Sequence, residues 1–190
     1  MKRLGIGFVG GGFIARFHIQ SLVGVRDCDV LGVMSKTRAS AEESSVLSSS
    51  LGLGDAVVYD SITEMISNPD IDALWICAPN FTRIEVFEEI VSAIESGKGE
   101  LIAVACEKPL GRNVKEAKRV LKLTQQVGLL DGYLENQVFA PSVTRGKEII
   151  WARGAATLSL IHISEPTRPR LLSDAVFCVK KKGGGGGGGG

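Results

Sequence analysis

The run from Leu4 to Ala15, LGIGFVGGGFIA, admits very few folds. A short apolar strand segment ends in Gly10, Gly11 and Gly12, and an apolar helix-forming segment begins at once with Phe13, Ile14 and Ala15. A chain that passes from strand to helix so abruptly needs residues free to take positive φ and to let backbone approach backbone, which is what glycine supplies. Gly10, Gly12 and Ala15 form the pattern GxGxxA, and the strand before it and helix after it give that pattern meaning. In that setting Gly10 allows the tight turn, Gly12 removes a side chain where a ligand would approach the backbone, and Ala15 lets helix and strand pack closely. The helix N-terminus, with Phe13 and Ile14 in its first turn, offers unpaired amide hydrogens and a positive dipole end to a phosphate group. The alternative reading is a purely structural glycine turn.

Short β-branched runs and amphipathic stretches alternate along the rest of the chain. GIGFV is followed by a helix over about 14–24, DVLGVM by one over about 39–50, and VVY by a short one over about 62–67. DALWICA then precedes a helix over about 84–96, LIAVAC one over about 114–127, and LLDGYL a last one near 142–152. Repeated βα units of this kind imply a mainly parallel sheet covered on both faces. The strands read as nearly unbroken apolar runs, as expected when both faces are buried. Ser40 with Glu43, Ser61 with Glu64 and Asn113 with Glu116 have capping-box spacing, and Gly97 and Gly128 sit where helices should end. The expected architecture is a single α/β domain with a doubly wound, mainly parallel sheet of Rossmann type over residues 1–152, followed by a disordered, non-domain tail over 153–190.

The end of the second strand bears on the choice of dinucleotide. A carboxylate there would hydrogen-bond the adenosine ribose hydroxyls and repel a 2′-phosphate. This chain instead has Ser35, Lys36, Thr37 and Arg38. A hydroxyl and two cations suit a phosphate monoester, so NADP is expected in preference to NAD. The alternative is that Lys36 and Arg38 are solvated residues opening a helix.

The tail needs separate treatment. Gly183 to Gly190, after three lysines, can neither form a helix nor bury apolar area. LSLIHISEPTR, from Leu158, matches the in-frame translation of a transposase adapter used in DNA sequencing libraries, and LSDAVFCV resembles the translated flanking primer. Residues 158–190 are therefore read as adapter-derived, a basic disordered tail being the alternative. Without them the chain carries 17 basic and 19 acidic residues, a formal charge of −2, which points to neither nucleic acid nor an anionic membrane. One histidine, His18, and three cysteines, Cys28, Cys77 and Cys106, remain. Their spacing fits no metal site, and Cys77 and Cys106 lie in apolar runs as small hydrophobes. Glycines interrupt the apolar run after Lys2 and Arg3, so it does not read as an export signal, and no segment is long enough to span a bilayer. A cytoplasmic protein is expected.

The glycine turn, Ala78-Pro79-Asn80, Cys106-Glu107-Lys108-Pro109 and GYLENQVFAP at 132–141 occur together and in this order. On these motifs residues 3–152 resemble the N-terminal NAD(P)-binding domain of the Gfo/Idh/MocA oxidoreductases. The resemblance implies hydride transfer between a nicotinamide and a sugar, inositol or related polyol. It implies that Lys108 orients or polarises the substrate oxygen as the catalytic cation, with Glu107 pairing with it or positioning it. Ala78, Pro79 and Asn80 would contact the nicotinamide half, and Asn136 would lie near the substrate. Relatives carry a histidine shortly after that asparagine where this chain has Thr82 and Arg83, so that contact is not carried over. His18 is expected to be structural or near the phosphates. Relatives continue into a second α/β domain that supplies the substrate pocket and the homo-oligomer surface. This chain meets the adapter-like string instead, so it should bind cofactor weakly and turn over nothing. A non-catalytic, cofactor-sensing regulator and a lyase or hydrolase using bound NAD are the alternatives within the same family.

Overall fold

Strand β1 (Leu4–Val9) is buried along five of its six residues and pairs in parallel with β2 (Cys28–Met34) on one side and β4 (Ala73–Ile76) on the other. A computed structural model of the chain describes residues 2–152, 156–157 and 180–181. With β3 (Val57–Tyr59), β5 (Ala103–Glu107) and β6 (Leu130–Leu134), the sheet has six parallel strands in the order β3-β2-β1-β4-β5-β6. This is the doubly wound Rossmann order, and its reversal between β1 and β4 opens a crevice beyond the strands' carboxyl ends.

Alternation along β1 divides the core. Ile6 and Phe8 face α1 (Phe13–Ser21) and α2 (Arg38–Ser50), where Ala15, Ile19, Val30, Val33 and Ala41 are buried with them. Val9 faces the other side, packed with Leu74, Ile76 and Val104 under α3 (Ile62–Ile66), α4 (Arg83–Glu95) and α5 (Val114–Gln126). Gly5 shares that second face for a steric reason. A Cβ there would lie 1.8 Å from the carbonyl oxygen of Asp70, where the chain crosses to β4.

The element boundaries follow the sequence expectations with two differences. The first helix ends at Ser21, and Leu22–Gly24 completes it as a 3-10 turn. Ser40 and Glu43 form no capping box, because Thr37 precedes the helix and Ser40 lies inside it. Glu43 pairs with Arg16 of α1 at 2.8 Å instead, so an interhelical ion pair takes the carboxylate. The other two caps form: Ser61 accepts from the Glu64 amide and Asn113 from the Glu116 amide, each at 3.0 Å. In both, the glutamate reaches back one residue further than a standard box, to the amides of Asp60 and Arg112. Gly97 and Gly128 close their helices with φ of 68°.

The chain divides into two compact units, Met1–Leu134 and Glu135–Gly190. In the second, a 3-10 turn (Asn136–Phe139) precedes α6 (Pro141–Ala152), which opens on proline, the residue best suited to a first helical position. Two two-residue strands, β7 (Ala156–Thr157) and β8 (Lys180–Lys181), pair antiparallel. Residues 153–155, 158–179 and 182–190, on which most of the tail expectation rests, lie outside the described residues. No helix among the described residues is long and apolar enough to cross a membrane.

Asp72 locks the start of the central strands together. Its carboxylate accepts from the Gly5 amide at 2.8 Å and from the Lys2 ammonium at 3.0 Å. Partial burial pushes its pKa up, but these two donors outweigh burial and hold it below the ordinary aspartate value. The carboxyl is then more acidic folded than unfolded, so its stabilisation is complete above the unfolded pKa and is lost as pH falls through the folded one. Asp72→Asn should lower stability by about 1 kcal/mol at neutral pH, and by less below the carboxylate range, measured by urea unfolding across pH.

Candidate functional site

The carboxyl ends of β2, β1, β4 and β5 are consecutive in the sheet, and each carries part of the expected site. Gly10 follows β1 with φ of 106°, and its amide donates to Met34 O at the end of β2 at 2.7 Å. On its other side, a Cβ would lie 2.9 Å from the Ala78 nitrogen and the Cys77 carbonyl carbon after β4. Gly10 therefore fills the gap between two strand exits with backbone alone. Gly11 is equally constrained: a Cβ there would lie 2.4 Å from Ser40 O in α2. Its carbonyl accepts from Arg16 and from the buried Ser44 hydroxyl, each at 3.0 Å.

Gly12 differs from both. It caps α1 with φ of −77°, open to any residue, and a Cβ there would meet no protein atom within 4 Å. Neither backbone strain nor packing requires glycine here. The fully buried Ala15 seats α1 on the sheet, while Phe13 and Ile14 stand exposed on its first turn. The open space above Gly12, beside the amides of α1, fits a dinucleotide pyrophosphate.

At the end of β2, Ser35 is half-buried and Lys36 exposed. Arg38 opens α2, and its guanidinium reaches Glu42 and Asp60, each at 3.0 Å. Lys36 makes no ion pair among the described residues.

Beyond β4 and β5 the site is organised by a residue that sequence reasoning noted only as a departure from its relatives. Arg83, the first residue of α4, is 2% exposed. It donates to Ala78 O at 3.1 Å, to Pro109 O at 3.2 Å, to Glu107 O and to Cys106 Sγ. One planar guanidinium thus staples the Ala78–Asn80 turn to the Glu107–Pro109 loop. The Pro79 carbonyl accepts from the Thr82 amide and hydroxyl, closing the 3-10 turn Asn80–Thr82. A helix-opening arginine just after a strand-ending turn was the available signal, but its burial depends on packing against β5.

Lys108 is exposed and follows a buried Glu107, and the Lys108–Pro109 peptide is cis. Glu107 pairs not with the Lys108 ammonium but with His18 of α1, whose Nε2 lies 2.8 Å from Oε1. Its second oxygen accepts from the Lys108 backbone amide at 2.8 Å. The carboxylate therefore holds the lysine's main chain, while the Lys108 side chain stays exposed.

Burial pushes the Cys77 thiol up to about 12 and the Cys106 thiol to about 11. Glu107 raises and Arg83 lowers both, which places the two charges beside both sulfurs. Both remain protonated at neutral pH and serve as packing groups rather than nucleophiles. No metal-binding cluster occurs among the described residues. Asn136 lies in the second unit, within the turn Asn136–Phe139.

Replacing Arg83 with methionine would keep much of the stem and orphan several carbonyl groups. A loss of about 2–4 kcal/mol is expected, read as a lower urea midpoint with the slope unchanged.

Residues 4–131 match the Gfo/Idh/MocA sequence family, described as an oxidoreductase family with an NAD-binding Rossmann fold. Inositol 2-dehydrogenase 3 of Saccharopolyspora erythraea is 28% identical over 182 residues, which cover 90% of this chain and 48% of that protein. The 1,5-anhydro-D-fructose reductase of Ensifer adhaerens is 28% identical over 126 residues, 66% of this chain and 34% of that one. Among solved structures, GenD2 of gentamicin A biosynthesis in complex with NAD superposes with a TM-score of 0.67 at 23% identity, covering 82% of this chain and 41% of that one. The chain thus spans between a third and a half of the length of these proteins. It belongs to the Gfo/Idh/MocA family of oxidoreductases, and residues 4–131 are its NAD-binding Rossmann domain.

Proposed function

We propose that this domain is the cofactor cradle of an oxidoreductase acting on a sugar, inositol or related polyol, with NADP taken in preference to NAD. Gly12 carries the reading. It is the one glycine of the turn that neither packing nor φ demands, and it stands where a pyrophosphate would need the missing side chain. When bound, the cofactor supplies or accepts a hydride at its nicotinamide ring. The chain's own residues would do the rest: Gly12, Phe13, Ile14 and Ala15 present amides to the phosphates, and Ala78, Pro79 and Asn80 border the nicotinamide half. Lys108 holds its ammonium against the substrate oxygen and stabilises negative charge developing there.

The preference for NADP rests on Ser35 and Lys36, since no carboxylate ends β2 and Arg38 is shared with Glu42 and Asp60. The substrate pocket, proton-transfer groups and oligomer surface would belong to a second α/β domain, as the resemblance implies. The working unit is then residues 1–152, with residues 153–190 outside it.

Gly12→Ala should leave the unfolding midpoint unchanged and weaken NADPH binding by about tenfold or more, read by nicotinamide fluorescence and by amide shifts at residues 10–15. Unchanged affinity in a folded variant would sink the reading. Lys36→Ala should weaken NADP binding by about tenfold while leaving NAD binding alone; equal losses for both would remove the preference.

A further inference from the structure

Glu107 is a buried carboxylate whose two oxygens serve different parts of the fold. One accepts from the Lys108 amide, and the other faces His18 Nε2. His18 lies in α1, six residues after Gly12, or about 9 Å along a rigid helix. Its ring is 13% exposed and is held edge-on by Trp75 at 6.1 Å and Phe17 at 6.2 Å. Two aromatic neighbours fix the imidazole plane, so the ring points at the carboxylate rather than merely filling space.

We infer that His18 is a positioning residue for Lys108. It acts through Glu107 and ties the helix that receives the cofactor phosphates to the loop that carries the catalytic cation. The linkage rests on the proposed roles of Gly12 and Lys108. With His18 in place, both carboxylate oxygens are engaged, and Glu107 cannot swing toward the Lys108 ammonium or the neighbouring Arg83 guanidinium. Without it, one buried oxygen loses its donor, the carboxylate rotates to another cation, and the Lys108 amide is released. Cofactor seated on α1 would then no longer be in register with the ammonium. The titratable and charged groups around the pair are Cys106 on β5, Cys77 just after β4, Arg83 on α4 and Lys108 itself.

The test uses the 190-residue chain, with wild type, His18→Leu and His18→Gln compared by amide hydrogen exchange and by NADPH titration in NMR spectra. Leucine keeps the volume and removes the donor, whereas the glutamine amide restores one. In His18→Leu the Lys108 amide should exchange at least about tenfold faster, while the amides of Ile76 and Val104 in the central sheet are unchanged. Addition of NADPH should shift the amides of residues 10–15 in every variant, but that of Lys108 only in wild type and His18→Gln. Unchanged exchange at Lys108 in His18→Leu, or a uniform loss of protection that glutamine does not repair, overturns the linkage. Absence of any NADPH response at residues 10–15 in wild type defeats the cofactor reading instead, and leaves the exchange data to decide the linkage. If His18→Leu does not fold, His18→Phe replaces it, keeping a flat ring between Trp75 and Phe17 without the donor: faster exchange at Lys108 with unchanged exchange at Ile76 and Val104 supports the linkage, and unchanged exchange at Lys108 overturns it.

Discussion

Gly10 is the junction at which β1, β2, β4 and α1 meet. Its amide binds the end of β2, its α-carbon abuts the residues leaving β4, and its φ of 106° sends the chain into α1. Because β1 is central in the sheet, both neighbours and the first helix take their positions from this one residue. Gly11 extends the constraint to α2 through its contact with Ser40. Only after these close backbone approaches are satisfied does Gly12 remain open, and the crevice is the space they leave beside it. The same geometry that closes the fold therefore leaves this one position of the turn open.

A second constraint is electrostatic and lies beyond β4 and β5. Arg83 cannot lose its charge, and its burial is compensated by carbonyl dipoles from two separate turns. Glu107 is buried nearby and is compensated by His18 and by the Lys108 amide. Each charge is anchored by groups from a different element, so the turn after β4, the loop after β5 and helix α1 are held as one body. Lys108 alone among these residues directs its side chain outward, and the cluster's effect is to hold the one exposed cation on a rigid base.

Much of this was legible in the residues. The strand–glycine–helix start, the alternation of βα units, the caps at Ser61 and Asn113 and the helix-ending Gly97 and Gly128 all follow from local rules. The grouping of GxGxxA, Ala78–Asn80 and Glu107–Pro109 at one end of the sheet follows from its parallel order, since every strand then ends on the same side. Less local features were not legible. Ser40 and Glu43 have the right spacing for a cap, yet Glu43 is taken by Arg16 from another helix. Glu107 stands next to Lys108 in sequence, but its carboxylate turns to a histidine 89 positions away.

Sequence by itself determined the fold class, the end of the sheet that carries the site and the family, because these depend on periodicity and on motifs only a few residues long. Tertiary structure alone decided which glycine is free for a ligand, which arginine is buried and which partner a carboxylate takes. Those outcomes depend on close approaches between segments far apart in the chain, where a few tenths of an ångström separate a contact from open space.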